Sequence, residues 1–328
     1  MNEAIFSRTQ MYQTKKYIPK SDNWSWFSIL DNMNEPLVQY QIEGFDYQTY
    51  TAPSAQLLKW IGNKQRFAES ITSFFPKRYN AYTEPFLGSG AVLATVAPKN
   101  GVGADVFKPL IDIWQTLKSN PQIVVDWYTE RWNWIGRIGK KAAYQQTLAT
   151  YNASPNGADF LFLTQACYGG VVRFRKADGF MSTPCGIHDP VNPSAFKKRA
   201  IEWHGRIKNT SFRCADYRET FAQAKAGDLI YCDPPYSFSQ AILYGAQSFD
   251  LTELLREIQF AKGRGVQIAL SIDGDKKSGD FICDLPIPAH LFEQEYSVNV
   301  GRSMLRRFQM EGQTLENELV SDRLLLTY

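Results

Sequence analysis

Cysteine and histidine are scarce in this chain of 328 residues, five and three respectively, and their scarcity excludes several classes. The cysteines, at 167, 185, 214, 232 and 283, form no CxxC pair, so the ligand spacing of a structural zinc site is missing and no disulfide framework is expected. No run of about 18 apolar residues provides a membrane span, and the opening MNEAIFSRTQMYQTKK lacks the apolar stretch of a signal peptide. A cytoplasmic protein without membrane contact is therefore expected. Repeats of solenoid period and long Gly/Ser or Pro linkers are also missing. What is present is ordinary for a globular chain, 44% hydrophobic, 21% charged and 14% aromatic, which excludes disordered, collagenous and low-complexity classes. The length suits one large domain or two of usual size.

A net charge of +3 names no partner, but its distribution is uneven. Residues 1–112 carry 11 basic and 10 acidic groups, 113–212 carry 13 and 6, and 213–328 carry 12 and 17. A basic block between neutral and acidic ones is the asymmetry of a region facing a polyanion, since Lys and Arg release counterions from phosphate. Residues 1–52 are polar and aromatic, with Trp24, Trp26 and Phe27 clustered, and read as a packed N-terminal extension or a partner-binding arm.

From Gln65 the apolar spacing is helical, with Phe67, Ala68, Ile71, Phe74 and Phe75 on one stripe until Pro76. A strand over 80–86, a glycine turn, a helix from Ala91 and a strand over 102–106 follow. The α/β pattern returns with a strand over 228–232, a helix opened by Asp250 and Glu253 as a capping box, and strands over 266–272 and 323–328. One parallel-rich sheet is predicted, interrupted by a basic insertion holding Trp114, Trp127, Trp132, Trp134 and Trp203.

Two segments carry chemistry. Glu84-Pro85-Phe86-Leu87-Gly88-Ser89-Gly90 puts two glycines on a strand-to-helix turn, where backbone can approach a ligand beside a helix N-terminus. Asp105 ends the next strand, where a carboxylate can accept both hydroxyls of a ribose. Leu93 stands where a dinucleotide fingerprint needs its third glycine, which disfavours a hydride-transfer cofactor. Asp233-Pro234-Pro235-Tyr236 directly follows a buried strand; two prolines force the chain off the sheet at its carboxyl edge, where open α/β folds bind ligands. A carboxylate, a prolyl carbonyl and an aromatic face suit an exocyclic amine on a planar base, two acceptors taking the NH₂ while the ring stacks.

With Lys59-Trp60-Ile61-Gly62-Asn63-Lys64, these segments occur in the order and spacing of the α-class, Dam-like (D12-type) DNA N6-adenine methyltransferases, which the chain resembles over about residues 55–328. The resemblance implies a Rossmann-like α/β methyltransferase sheet that uses S-adenosyl-L-methionine, with an inserted, mainly helical DNA-recognition domain carrying a β-hairpin. On that basis 53–112 and 213–328 form the catalytic domain and 113–212 the recognition domain. Asp233, Pro234, Pro235 and Tyr236 become the catalytic loop, whose Asp233 also borders the cofactor. Trp60, Lys64, Glu84, Pro85, Phe86, Gly88, Gly90, Asp105, Asp216 and Tyr217 become cofactor contacts. The implied partner is double-stranded DNA, with a cognate restriction endonuclease as a further one; oligomeric state is left open.

Residues 168–180 alternate apolar and basic side chains before an Asp178-Gly179 turn and read as a hairpin projecting Arg173, Arg175 and Lys176 toward bases or phosphates. Gly169-Gly170 and Arg175 depart from relatives, which often carry Asn-Gly and Asn there, so the target sequence does not transfer. Pro184-Cys185 lacks the motif order of a C5-cytosine methyltransferase, and 136–141 is not a P-loop. The expected reaction is methyl transfer to N6 of a flipped-out adenine. The rivals are N4-cytosine methylation and a non-catalytic DNA-binding regulator.

Overall fold

A computed structural model describes residues 13–14, 50–235, 249–276, 287–288, 290–301 and 320–328. The aromatic cluster at 24–27, Tyr236 and Cys283 lie outside them. One sheet of eight strands organises the described chain: β1 (Gln13–Thr14), β2 (Tyr82–Glu84), β3 (Gly101–Asp105), β4 (Thr210–Cys214), β5 (Leu229–Cys232), β6 (Gln267–Lys276), β7 (Gln294–Gly301) and β8 (Val320–Leu326). Their spatial order is β1-β7-β8-β6-β5-β2-β3-β4. The five strands from β4 to β6 run parallel, as the apolar runs between helices predict, while β8 lies antiparallel between β6 and β7. Chain order reverses at β2, whose neighbours are β3 on one side and β5 on the other, so a crevice opens outside their carboxyl ends.

Helices α1 (Ala68–Thr72), α2 (Ala91–Val96), α8 (Tyr217–Gln223) and α9 (Leu251–Gly263) join the strands, while α3 (Lys108–Ser119), α4 (Pro121–Ile138), α5 (Lys140–Ala153), α6 (Gly157–Ala166) and α7 (Pro193–Ile207) fill the chain between β3 and β4. Helix α1 is shorter than its apolar stripe predicts. Thr72 and Ser73 turn their hydroxyls back onto the carbonyls of Glu69 and Ser70, at 3.0 and 2.7 Å, competing with the helical ladder. The N-terminal cap of α9 also differs from expectation. Asp250 caps it, accepting from Thr252 N at 2.8 Å, but Glu253 pairs with Arg218, and the reciprocal capping box forms instead at Asp216 and Glu219 of α8.

The boundaries expected at 112/113 and 212/213 fall inside α3 and β4. Trp114, counted with the insertion, packs on the sheet side, its ring 6.0 Å from that of Phe212 and 5.5 Å from that of Trp203. One continuous apolar core accordingly runs from Tyr82 and Leu93 at the sheet through Trp114 to Tyr128, Phe160 and Phe196 among the helices.

Residues 51–58 form an extended strap across this junction. Ala52 N donates to Glu69 of α1 at 2.8 Å, Ser54 N to Glu202 at 2.8 Å, and the Ala55 and Gln56 carbonyls accept from Trp203 and Arg199 of α7 at 2.9 and 3.0 Å. Gln165 of α6 donates to Leu57 O at 2.8 Å, and Leu57 and Leu58 are buried. Backbone polar groups in an irregular segment need such partners, and here helices on both sides provide them.

Candidate active site

The turn after β2 has the conformation its glycines permit, with φ +47° at Gly88 and +61° at Gly90, a region that L side chains avoid. Trp60 closes over the first: a Cβ on Gly88 would lie 3.0 Å from the indole Nε1. Trp114 lies under the second, 3.2 Å from an added Cβ, so Gly90 serves the packing beneath the turn and does not border the cavity described below. Asp105 leaves β3 with one carboxylate oxygen accepting from Gly88 N at 3.1 Å and the other from Phe107 N at 3.0 Å. Burial pushes its carboxyl pKa up, and these backbone donors oppose the shift.

Asp233 and Pro234 leave the carboxyl end of β5 beside Glu84 at the end of β2. Lys64, with a side chain 6% exposed, donates to Asp233 Oδ1 at 2.8 Å and approaches Asp322 Oδ2 at 3.3 Å. Burial alone would depress the Lys64 pKa, but the two carboxylates carry it above its ordinary value. Glu84 is different. Burial, reinforced by the charge on Asp233, pushes its carboxyl up to about 8, although the Tyr82 hydroxyl donates to it at 2.6 Å. Under the loop, the Tyr231 and Ser271 hydroxyls are bonded at 2.9 Å.

Lys64, Glu84, Gly88, Asp105, Tyr231, Asp233 and Pro234 border a single cavity of about 260 Å³. It is lined by the turn 84–88 with Asp105, by Trp60 to Gly62 with Lys64, and by Asp216 to Arg218. Asp233, Pro234 and Pro235 line it as well. Phe86 stacks on Tyr217 with ring centroids 5.2 Å apart, and Phe249 meets Phe86 edge-on at 5.7 Å. The Tyr217 hydroxyl is buried and has no hydrogen-bond partner among the described residues. Asp216 therefore caps α8 and borders the cavity at once. Val106, Phe107, Arg218 and Phe249 also line it and were not anticipated; the first three adjoin Asp105 or Tyr217, so adjacency was the available signal.

Residues 60–287 match the sequence profile of the D12 class N6 adenine-specific DNA methyltransferases. The chain belongs to that family. The chain is 29% identical over 227 residues to a DNA adenine methylase of Vibrio cholerae, a match covering 65% of this chain and 79% of that one. A type II methyltransferase of Lactococcus lactis subsp. cremoris is 26% identical over 189 residues, covering 54% and 64%. Among solved structures, the rRNA methyltransferase aviRa of Streptomyces viridochromogenes aligns over 85% of this chain and 88% of its own at a TM-score of 0.32 and 12% identity. The chain is an adenine-specific DNA methyltransferase, and the N4-cytosine and regulator alternatives are not favoured.

In this methyltransferase the segment expected as a hairpin is less regular than its alternation suggests. Two isolated bridges, Cys167 with Cys185 and Phe174 with Met181, replace continuous strands, because Gly169 and Gly170 adopt φ of +65° and +68° and turn the chain between them. The tip closes as foreseen at Asp178-Gly179, with Arg175 N donating to Phe180 O at 2.9 Å. Arg173 and Lys176 are exposed and make no side-chain hydrogen bond or ion pair among the described residues. Arg175 is exposed but already engaged, gripping Asp178 through two bonds of 3.0 and 2.5 Å and stacking 5.2 Å over Phe180. Phe174 packs inward, 5.6 Å from Phe107, and so joins the loop to a residue of the cavity wall. No helix among the described residues is long and apolar enough to cross a membrane.

Proposed function

We propose that this methyltransferase is site-specific, taking its methyl group from S-adenosylmethionine and delivering it to N6 of an adenine flipped out of duplex DNA. One observation carries the reading: the amine-binding groups Asp233 and Pro234 face the same cavity as the nucleoside-binding groups Gly88 and Asp105. The close Gly88 backbone, the carboxylate of Asp105, the stacked Phe86 and Tyr217 and the unpartnered Tyr217 hydroxyl fit a nucleoside. In this reading Trp60, Lys64, Glu84, Pro85, Phe86, Gly88, Asp105, Asp216 and Tyr217 hold the cofactor, while Gly90 shapes the turn.

Bound there, S-adenosylmethionine supplies an electrophilic methyl group on a sulfonium. The chain's own work lies at the amine, whose lone pair is delocalised into the adenine ring. Asp233 and the Pro234 carbonyl accept its two N–H bonds, favour tetrahedral nitrogen and offset the positive charge that develops there. Tyr236 stacks on the base, and Pro235 fixes the loop. Arg173, Arg175 and Lys176 meet the DNA from a recognition region within 113–212. The type II name of one relative supports a cognate restriction endonuclease, and the protein works in the cytoplasm, where DNA and cofactor meet.

Modified-base sequencing of DNA from cells expressing the protein tests this reading together with calorimetric titration by S-adenosylmethionine. Methylation confined to adenines in one short sequence, with stoichiometric cofactor binding, is expected. Unmodified DNA from cells containing soluble protein would overturn it.

A further inference from the structure

Asp322 stands apart from the motifs of the cavity. It belongs to β8, beyond the residues matched by the family profile, and does not line the cavity. It is nevertheless only 8% exposed, an unusual position for a carboxylate without a strong partner. Its strand pairs antiparallel with β6 on one side and β7 on the other, so the backbone at 322 is fixed from both edges. The side chain approaches Lys64 Nζ at 3.3 Å, on the ammonium whose 2.8 Å bond holds Asp233.

An ammonium on a four-carbon stem has three donors and no preferred plane, so a single carboxylate leaves its position poorly determined. Among the described residues, Lys64 Nζ meets the acceptors Asp233 Oδ1, Asp322 Oδ2 and Gly62 O, the last at 3.4 Å. Three acceptors fix the nitrogen, and a fixed nitrogen fixes Asp233. Sharing the ammonium between two carboxylates also moderates its pull on Asp233, which keeps that carboxylate a stronger acceptor for an amine. A displacement on the order of 1 Å at a group positioning the reacting atoms costs roughly 10²-fold in rate.

We propose that Asp322 is a positioning residue for methyl transfer, which sets the catalytic carboxylate of Asp233 through Lys64 and touches neither cofactor nor base. The proposal rests on the reading of Asp233 as the acceptor of the target amine. Near-isosteric Asp322→Asn removes the anion and retains the side-chain shape. In the full chain, with S-adenosylmethionine and unmethylated genomic DNA, its single-turnover rate should fall tenfold or more per cofactor-binding site, with cofactor Kd and DNA KM within twofold of the parent. Counting only sites that bind cofactor prevents partial unfolding from mimicking the effect.

A second arm separates positioning from general support. If Asp322 acts through Lys64, adding Asp322→Asn to Lys64→Gln should cost no further rate or restore some of it. An undiminished tenfold loss in that background overturns the proposal, as does an unchanged rate in the single variant or a loss confined to cofactor Kd. If Asp322→Asn yields no soluble protein, Asp322→Glu serves instead, since it keeps the charge but moves it by one methylene. A lowered turnover at full cofactor stoichiometry supports the proposal there, and parental turnover overturns it. Asp233→Ala, run in parallel, separates the two readings: if it retains turnover, the assignment of the 233–236 loop has failed before Asp322 is tested.

Discussion

Lys64, Glu84 and Asp233 are wholly or largely withdrawn from water at the carboxyl edge of the sheet, whereas Arg173, Arg175 and Lys176 stand exposed on an irregular loop of the insertion. Burial makes the first set dependent on partners, because an unpaired charge in a dry site is costly and removing one member of a buried pair typically destabilises by about 3–5 kcal/mol. The exposed set pays little for standing alone and is screened by salt. On the proposed reading, chemistry is built on pre-set contacts, while reading of the duplex falls to side chains that can adapt.

The sharpest break between the two regions should come from Asp233→Ala. Loss of one acceptor preorganised in a dry site is expected to lower turnover by about 10²-fold or more and leave cofactor affinity near parental. Single-turnover rates beside calorimetric Kd values check it, and full turnover would remove this loop from the chemistry.

Asp105→Ala should show the converse pattern within the same cavity. Cofactor binding weakens by about 1–3 kcal/mol as charge-assisted bonds to the ribose are lost. Unchanged calorimetric affinity in a folded variant would take Asp105 out of the site.

Glu84 sharpens the comparison through pH. Its carboxyl, ordinarily near 4.5, titrates at about 8 chiefly because it is buried, so it holds a proton at neutral pH. If the carboxylate accepts the cofactor's ammonium, affinity should rise as pH climbs from 6 toward 8, by at most about tenfold per unit, with proton release on binding. Without cofactor the sign is opposite: between 4.5 and 8 the folded state binds more protons than the unfolded one, so stability falls as pH rises. Calorimetry in buffers of different ionisation enthalpy measures the released proton, and Glu84→Gln should abolish it.

The smallest changes belong to the exposed loop. Arg173→Ala should cost about 1–3 kcal/mol on the preferred site and relax the choice at one base position if the guanidinium reads a guanine edge. Lys176→Ala should weaken binding to all sequences and reduce the salt slope by about one if it meets a phosphate. Arg175→Ala should have less effect than Arg173→Ala, because Asp178 and Phe180 already occupy its guanidinium. Methylation of a randomised DNA library, with binding at several salt concentrations, ranks the three. Equal and parental profiles would move recognition elsewhere in the insertion.

What could be read from the sequence follows the same division. Gly88, Asp105 and Asp233 were legible because turn chemistry and strand ends are local signals: a glycine pair, an acid after an apolar run, two prolines that cannot stay in a sheet. The role of Asp322 was not legible, since nothing in Val320–Leu326 marks its carboxylate as the partner of a lysine far away along the chain. Strands β4 and β7 were missed because polar residues interrupt them, and tertiary pairing overrides such weak local patterns. The hairpin was legible at its Asp178-Gly179 tip, while the positive φ of Gly169 and Gly170 at its base, which the apolar alternation does not reveal, leaves its pairing to isolated bridges. Asp216, expected as a cofactor contact, lines the cavity and also caps α8.

The strap over 51–58 bears on where the molecule can be cut. A chain trimmed to the profile match would begin at Trp60 and discard the carbonyls and amides that satisfy Arg199, Glu202, Trp203 and Gln165, along with buried Leu57 and Leu58. The insertion would keep its helices but lose the seam that aligns it with Trp60 and Lys64. A self-sufficient piece of this enzyme therefore starts upstream of Trp60, where the family match begins, and keeps the strap at 51–58.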